Sequence, residues 1–347
     1  MKYSIISIII FSKWLFLHFP WGLSALFFLG VVLFLLLCVA ILTLFERKVL
    51  GGMQRRRGPN AVGIFGFLQP IADAVKLLAK ESVIPSASNY LIFAASPISM
   101  LVFSMACWGV IPLGEGAVIS DISIGMMFIF ALSSANVYSV IMAGWSSNSK
   151  YSFLGSLRSA AQMISYEVAL GLVIMPVFVF SESANLTRIV FFQEELFNAA
   201  VLLPSFLLFF ICVLAETSRV PFDLPEAESE LVSGYNTEYS SVGFVLFFLS
   251  EYLNIILMSI LIIILFFGGW LPFIEFPGTH FIPEVFWFSL KLFFLLYAFI
   301  WVRAVLPRFR YDQLMSLGWK VILPLAIAFL FLTTFWTFLF NGFAPFF

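Results

Sequence analysis

Charge is scarce in this sequence: Asp, Glu, Lys and Arg together make up 11% of 347 residues, and histidine occurs only at His18 and His280. Two imidazoles in different stretches do not form the facing pair that a membrane-bound bis-histidine haem requires, so a haem-carrying cytochrome is not expected. Cys38, Cys107 and Cys212 sit in separate apolar stretches without CxxC spacing. That argues against a disulfide framework, a zinc site or an iron–sulfur site and leaves them as buried hydrophobes. There is also no GxGxxG, no Walker A pattern, no Ser-His-Asp set and no metal-ligand spacing. The chain by itself is therefore expected to hold no metal, nicotinamide, flavin or nucleotide and to contain no complete catalytic site. Any electrons must come from another chain. No internal repeat or soluble-domain boundary stands out, and no removable targeting segment is evident at the N-terminus.

Apolar residues, by contrast, make up 62% of the chain, with 45 Phe and a mean hydropathy of +1.06. So much apolar surface cannot be hidden in a water-soluble core, and lipid has to serve as solvent. Phe codons are T-rich, so the excess fits an AT-rich genome and weakly suggests organelle coding. A helix needs about 20 apolar residues to cross the hydrocarbon, and eight stretches meet or approach that length: 22–45, 89–112, 122–144, 164–181, 197–215, 241–267, 284–303 and 320–341. The expected fold is an all-α integral membrane protein of about eight transmembrane helices, forming one polytopic domain over 1–347. Residues 1–20 read as an N-terminal extension, with 3–19 interfacial or extended. Asp121 reads as an N-cap for the third span and Pro283 as the opening residue of the seventh.

The loops divide sharply by charge. Loops 46–88, 145–163, 216–240 and 303–320 carry 14 of the 18 basic residues, which places them on the cytoplasmic or matrix side. Loop 46–88 carries its own amphipathic pattern. Gln69, Asp73, Lys76 and Lys80 recur at helical spacing opposite Ile64, Leu68, Ile71, Val75 and Leu78, as expected of a helix lying in the membrane interface. Such a helix is either a plain anchor or a doorway for an amphiphilic ligand.

Seven charges fall between Ala215 and Tyr239: Glu216, Arg219, Asp223, Glu226, Glu228, Glu230 and Glu238. An apolar chain carries such a run only at an aqueous face or around a polar cavity, because an unpaired ion in hydrocarbon costs at least a few kcal/mol. Glu226, Glu228 and Glu230 alternate, so an extended segment puts them on one face. Carboxylates sharing a sheltered space cannot all ionise, and such a group stores and passes protons; the alternative is a solvated acidic loop. Within the spans, Glu167, Glu251 and Lys291 are ionisable, which marks a proton or ion pathway or else a paired structural ion. Arg55, Arg56 and Arg57 suit an acidic partner, a lipid phosphate or a simple positive-side anchor. Arg303, Arg308 and Arg310 form a second basic connection, where a soluble partner could dock.

Taken together, Glu46-Arg47-Lys48, Gln54 to Asn60, Gln69 to Lys76, Ser165-Tyr166-Glu167, Ala215 to Asp223, Glu226 to Tyr235, Trp301 to Arg303 and Pro307 to Met315 resemble subunit 1 of respiratory complex I and its bacterial counterpart. The likeness covers all but about the first 20 residues, the length of one span. It implies a core membrane subunit of a proton-pumping NADH:ubiquinone oxidoreductase, with ubiquinone as substrate and FMN and iron–sulfur clusters in partner subunits. Arg47, Arg56, Asp73, Glu216, Arg219 and Arg303 would then belong to the quinone tunnel. Glu167, Glu226, Glu228, Glu230 and Glu251 would couple quinone reduction to proton movement. Expected partners are other membrane-arm subunits, quinone-module peripheral-arm subunits and membrane lipids, with no nucleic acid. The expected location is the mitochondrial inner membrane with charged loops toward the matrix, or alternatively a bacterial plasma membrane. Two other readings remain open: a quinone-independent subunit of a membrane-bound hydrogenase, and a secondary transporter or channel built on Glu167, Glu251 and Lys291.

Overall fold

A computed structural model describes residues 20–223, 233–273 and 282–339, with side chains from Leu29 onward. Its described residues are helical, without strands. In chain order the helices are α1 (Pro20–Met53), α2 (Gln69–Ala79), α3 (Tyr90–Cys107), α4 (Gly125–Ser146), α5 (Lys150–Ser181), α6 (Leu186–Phe192), α7 (Asn198–Val201), α8 (Leu203–Glu216), α9 (Ser241–Phe266), α10 (Glu284–Val305), α11 (Tyr311–Leu317) and α12 (Leu323–Leu339). The π-helical turn Gly318–Ile322 joins α11 to α12. Among the described residues, seven helical segments are long and apolar enough to cross a membrane.

The fifth expected stretch, 197–215, is broken. Pro204 has no N–H to donate into a preceding turn, and the helix interrupts at Leu202 (φ −107°, ψ 37°). The resulting α8 has 14 residues, or about 21 Å of rise, short of the ~30 Å hydrocarbon core. Two expected loops shrink instead. The first span runs on to Met53, which puts Glu46, Arg47 and Lys48 on a helix rather than in loop 46–88. Most of 145–163 is the first half of α5, capped by Ser149, whose Oγ accepts from Ser152 N at 3.3 Å. Its serines satisfy themselves on preceding carbonyls, Ser156 on Phe153 O at 2.9 Å and Ser159 on Gly155 O at 3.0 Å. Polar composition therefore conceals a regular helix.

The end signals also differ from expectation. Asp121 does not cap α4; its Oδ1 accepts from Asn185 Nδ2 at 2.8 Å, and Asn185 in turn caps α6. Pro283 stands just before α10, one position earlier than expected. The amphipathic segment does form a helix, α2, which has Pro70 in its first turn and no buried residue. Ile71, Val75 and Leu78 on its apolar face stay exposed, as suits a helix facing lipid. Residues 3–19 and the acidic trio Glu226, Glu228 and Glu230 lie outside the described residues.

The most buried helix is α9, which packs against α1, α3, α8 and α10 and buries Leu253, Leu261 and Ile262 to Phe266. On the periphery, Leu33 and Phe34 of α1, Phe293 and Phe294 of α10 and Phe331 and Phe335 of α12 stay exposed, the pattern of surfaces that meet lipid tails. Cys107 and Cys212 are buried, Cys38 is half-buried, and all three are free thiols, as read from the sequence.

The carbonyls ending α9 are satisfied by side chains. Gln193 Nε2 donates to Ile264 O at 2.8 Å and Asn198 Nδ2 to Leu265 O at 2.8 Å. Lys291 Nζ donates to Phe267 O at 2.5 Å, Gly269 O at 3.0 Å and Leu271 O at 2.6 Å. All three ammonium donors are thus used on orphan carbonyls, beside the rings of Phe197 and Phe273. Lys291 is a structural cap, which removes one of the three residues on which the transporter reading stood. Lys291→Met is expected to destabilise this end of the bundle by about 2–3 kcal/mol by leaving buried carbonyls unpaired. The check is a lowered thermal-aggregation midpoint of the assembled complex, with Lys291→Arg less affected.

Candidate functional site

Four elements far apart in sequence bring charge together at one buried point. Glu46 of α1 is 7% exposed. Its Oε1 accepts from Arg303 of α10 and lies 3.5 Å from Arg219 Nη1, from the segment after α8. Its Oε2 accepts from the hydroxyl of Tyr252 on α9 at 2.5 Å, and the Arg219 guanidinium lies over the Tyr252 ring at 4.5 Å. One carboxylate thus serves two guanidiniums and a phenol in place of water, an arrangement that holds buried charge only when every partner is present. A cavity abuts this cluster, walled on its apolar side by Leu42, Ile255, Leu296, Phe299 and Ile300.

The α1–α2 pair carries a second charged contact. Arg47 Nη1 donates to Asp73 Oδ2 at 2.6 Å, and Gln69 Nε2 to Asp73 Oδ1 at 3.2 Å. Arg56 stands apart; it is exposed and its Nε donates to Gln54 Oε1 at 2.8 Å. Of the six residues assigned to a tunnel, Arg219 and Arg303 therefore meet on Glu46, Arg47 pairs with Asp73, and Glu216 belongs to a different group. Glu46 and Tyr252 complete the cluster, and the sequence reading does not single them out as site residues. The available signal is an acidic residue directly after the long apolar run that ends at Phe45, masked because a charge there looks like the start of a loop.

Glu216 ends α8 and faces carboxylates on both sides. Toward α4 and α5, Glu167 Oε1 accepts from Ser133 Oγ at 3.0 Å and from Ser134 Oγ, and Glu167 is close enough to Glu216 to repel it electrostatically. Toward α9, Glu216 and Glu251 line one cavity together with Ser218, Asn236 and Asn254. A separate cavity on the Ser133 side is lined by Glu216, Asn136 and again Asn254. The structure thus groups Glu167, Glu216 and Glu251.

The chain on either side of residues 224–232 is firmly held. Gln162 Nε2 donates to Ala215 O at 2.7 Å and Phe222 O at 2.8 Å. Arg308 Nη2 lies 3.1 Å from Asp223 Oδ2, and the rings of Phe222 and Phe309 stack at 5.7 Å. Beyond the segment, Gly234 crosses α5 so closely that a Cβ on Gly155 would come within 2.6 Å of its backbone, a contact only glycine permits. Ser152 Oγ donates to Tyr235 O at 3.3 Å. Tyr239 stacks on Phe93 with centroids 4.1 Å apart and shares a hydrogen bond with Ser96 at 2.8 Å. Burial pushes the Tyr239 phenol above its ordinary value, partly offset by its bonds to Ser146 and Ser96, so it remains a neutral donor.

The architecture and the sequence identify the chain at the level of family. Residues 26–334 match the model of the NADH dehydrogenase family, and the chain belongs to that family. It is similar to NADH-ubiquinone oxidoreductase chain 1 of Chondrus crispus, at 56% identity over 302 residues that cover 87% of this chain and 93% of the relative. It is also similar to the protein of the same name from Arabidopsis thaliana, at 55% identity over 86% of this chain and 92% of the relative. A bacterial relative, an NADH-quinone oxidoreductase subunit of Rickettsia typhi, is 56% identical over 89% of this chain and 92% of its own length. The resemblance to subunit 1 of respiratory complex I is borne out, and the chain's part in an enzyme is that of a subunit of an oxidoreductase.

Proposed function

We propose that this chain is the membrane subunit of a proton-pumping NADH:quinone oxidoreductase in which ubiquinone enters from the bilayer and its reduction is coupled to proton movement. The observation that carries the reading is a polar interior made from two parts. One is the Glu46–Arg219–Arg303–Tyr252 cluster beside an apolar-walled cavity, and the other is the Glu167–Glu216–Glu251 group, joined to it through neighbouring residues of the same two chain segments. A quinone has an apolar tail and a polar head, so it needs a lipid-side wall that ends at fixed donors, and the first part supplies both. The cavity leaves only about 20 Å³ open to the centre of a water molecule. The passage is therefore completed by peripheral-arm subunits or opened when the charged cluster moves. FMN and iron–sulfur clusters in those subunits bring the electrons.

Arg47 and Asp73 anchor α2 to α1 at the entrance, and Arg56 faces outward for a partner subunit or lipid headgroups. Reduction places charge near the carboxylates. Two negative charges about 10 Å from a carboxylate, at an effective dielectric near 20, interact by about 3 kcal/mol, enough to change the protonation of a group poised near neutrality. Glu226, Glu228 and Glu230 extend the acidic path in this reading. The dense basic loops face the matrix of a mitochondrial inner membrane, or the cytoplasm if the membrane is bacterial.

Glu251→Gln and Glu228→Gln are each expected to slow NADH:ubiquinone turnover by about tenfold or more. Electron transfer to a water-soluble acceptor should persist. Equal loss of both activities would mean failed assembly rather than failed coupling. Density for a quinone or inhibitor against 46–88 and 216–240 in the assembled complex tests the tunnel directly. Recovery of the chain in a hydrogenase lacking quinone chemistry would overturn it.

A further inference from the structure

Asn254 lies on the most buried helix, one turn beyond Glu251, and it is the residue of α9 that lines both cavities flanking Glu216. Its amide has no hydrogen-bond partner among the described residues. Asn254 is half-buried, and an amide left bare in so apolar a helix is costly unless something else bonds to it. The cavity it shares with Glu251 contains further unmet demand. Glu216 Oε2, Ser218 Oγ and Asn236 Oδ1 are all shut off from solvent without a hydrogen-bond partner among the described residues, and Ser218 is 6% exposed. Each cavity offers about 20 Å³ to the centre of a water molecule, slightly more than one water requires. All three unmet atoms line the cavity shared with Glu251, while the Ser133-side cavity has Glu216 Oε2 together with the polar side chains of Ser133 and Asn136; each has room for one water and enough polar partners to hold it.

We propose that each cavity holds a bound water and that Asn254 orients both, joining Glu251 to Glu216 directly, and Glu216 to Glu167 through the Ser133 hydroxyl that lines the second cavity and donates to Glu167, into one chain along which a proton can pass. The inference rests on the acidic-path reading above and adds its missing links. An amide presents two N–H donors and a carbonyl acceptor, so Asn254 can donate to one water and accept from the other. It carries no proton itself and acts as a positioning residue. In the step it supports, a protonated carboxyl gives its proton to the adjoining water, and that water releases a different proton to the next carboxylate. The water is regenerated: it gains one O–H bond and loses another, while the donor carboxyl loses one and the acceptor gains one. No oxidant or other reactant is required.

The test compares Asn254→Leu with Asn254→Ser in the assembled oxidoreductase reconstituted in liposomes. Leucine matches the shape of asparagine but offers neither donor nor acceptor to either cavity, whereas serine keeps both and leaves room for water. Asn254→Leu should slow quinone-coupled turnover and proton uptake by about tenfold, the scale of one lost bridging contact in a reacting path. Its electron transfer to a water-soluble acceptor should persist, and Asn254→Ser should retain most of the coupled rate. A high-resolution map should show a water in each cavity, bonded to Asn254, and neither in the leucine variant. Wild-type coupled rates in Asn254→Leu, or dry cavities in the parent complex, would overturn the proposal. If Glu216→Gln proved essential while Asn254→Leu was silent, the acidic path would survive and the water links would not. If Glu216→Gln were silent, the path itself would fail.

Discussion

Replacing Glu46 by alanine is expected to keep the oxidoreductase from accumulating in the membrane. Glu46 is the shared counter-ion of Arg219 and Arg303 and the acceptor for Tyr252, and both Glu46 and Arg219 are 7% exposed. Deleting the carboxylate takes the shared counter-ion away from two guanidiniums beside an apolar wall. Breaking a buried pair in this way costs about 3–5 kcal/mol, a large part of the roughly 5–15 kcal/mol that holds a domain folded. The loss should be greater than in an exposed pair because three helices and a loop depend on the one group. Native electrophoresis of solubilised membranes gives the readout. Glu46→Gln, which keeps an acceptor for Tyr252, should yield more complex than Glu46→Ala. Wild-type abundance and thermal stability in Glu46→Ala would show that the cluster does not hold these elements together.

The second large effect concerns catalysis. Glu216→Gln preserves shape and polarity but removes the group placed between Glu167 and Glu251, and it should lower NADH:ubiquinone turnover by about 10²-fold or more, the range attributable to a positioned acid or base. The complex should assemble normally, because Glu216 Oε2 makes no hydrogen bond among the described residues whose loss would weaken the fold. Reduction of a water-soluble acceptor upstream of quinone then separates the two outcomes. Retained acceptor reduction with lost proton uptake supports a coupling role. Unchanged proton uptake removes Glu216 from the path.

Hydropathy locates the helices well where their charge is low and misplaces their ends where polar side chains are satisfied internally. It cuts the first span at Phe45 because Glu46 looks like a loop residue until Arg219 and Arg303 are seen around it. Serines that bond to their own helix hide the start of α5. Pro204 signals the break at Leu202, yet the surrounding apolar run outweighs it. Glu167, Glu216 and Glu251 are legible as candidates because a charge in an apolar context is costly anywhere. Their grouping is not, since it depends on which faces of α5, α8 and α9 turn toward one another. Lys291 carries the same signal with a structural cause, and only its three carbonyl contacts separate the cases. Asn254, an uncharged residue in a long apolar run, gives little signal of its own.

One helix, α5, touches the chain on both flanks of the acidic segment: Gly155 and Ser152 grip residues 234 and 235, and Gln162 grips residues 215 and 222. Glu167 rides on the same helix, about 18 Å beyond Gly155 at the ordinary rise. A rod of this kind is a ruler, because its marks cannot shift independently. Sliding or tilting it would displace both anchor points and one carboxylate in a single stroke, so mechanical displacement and proton affinity share one moving part.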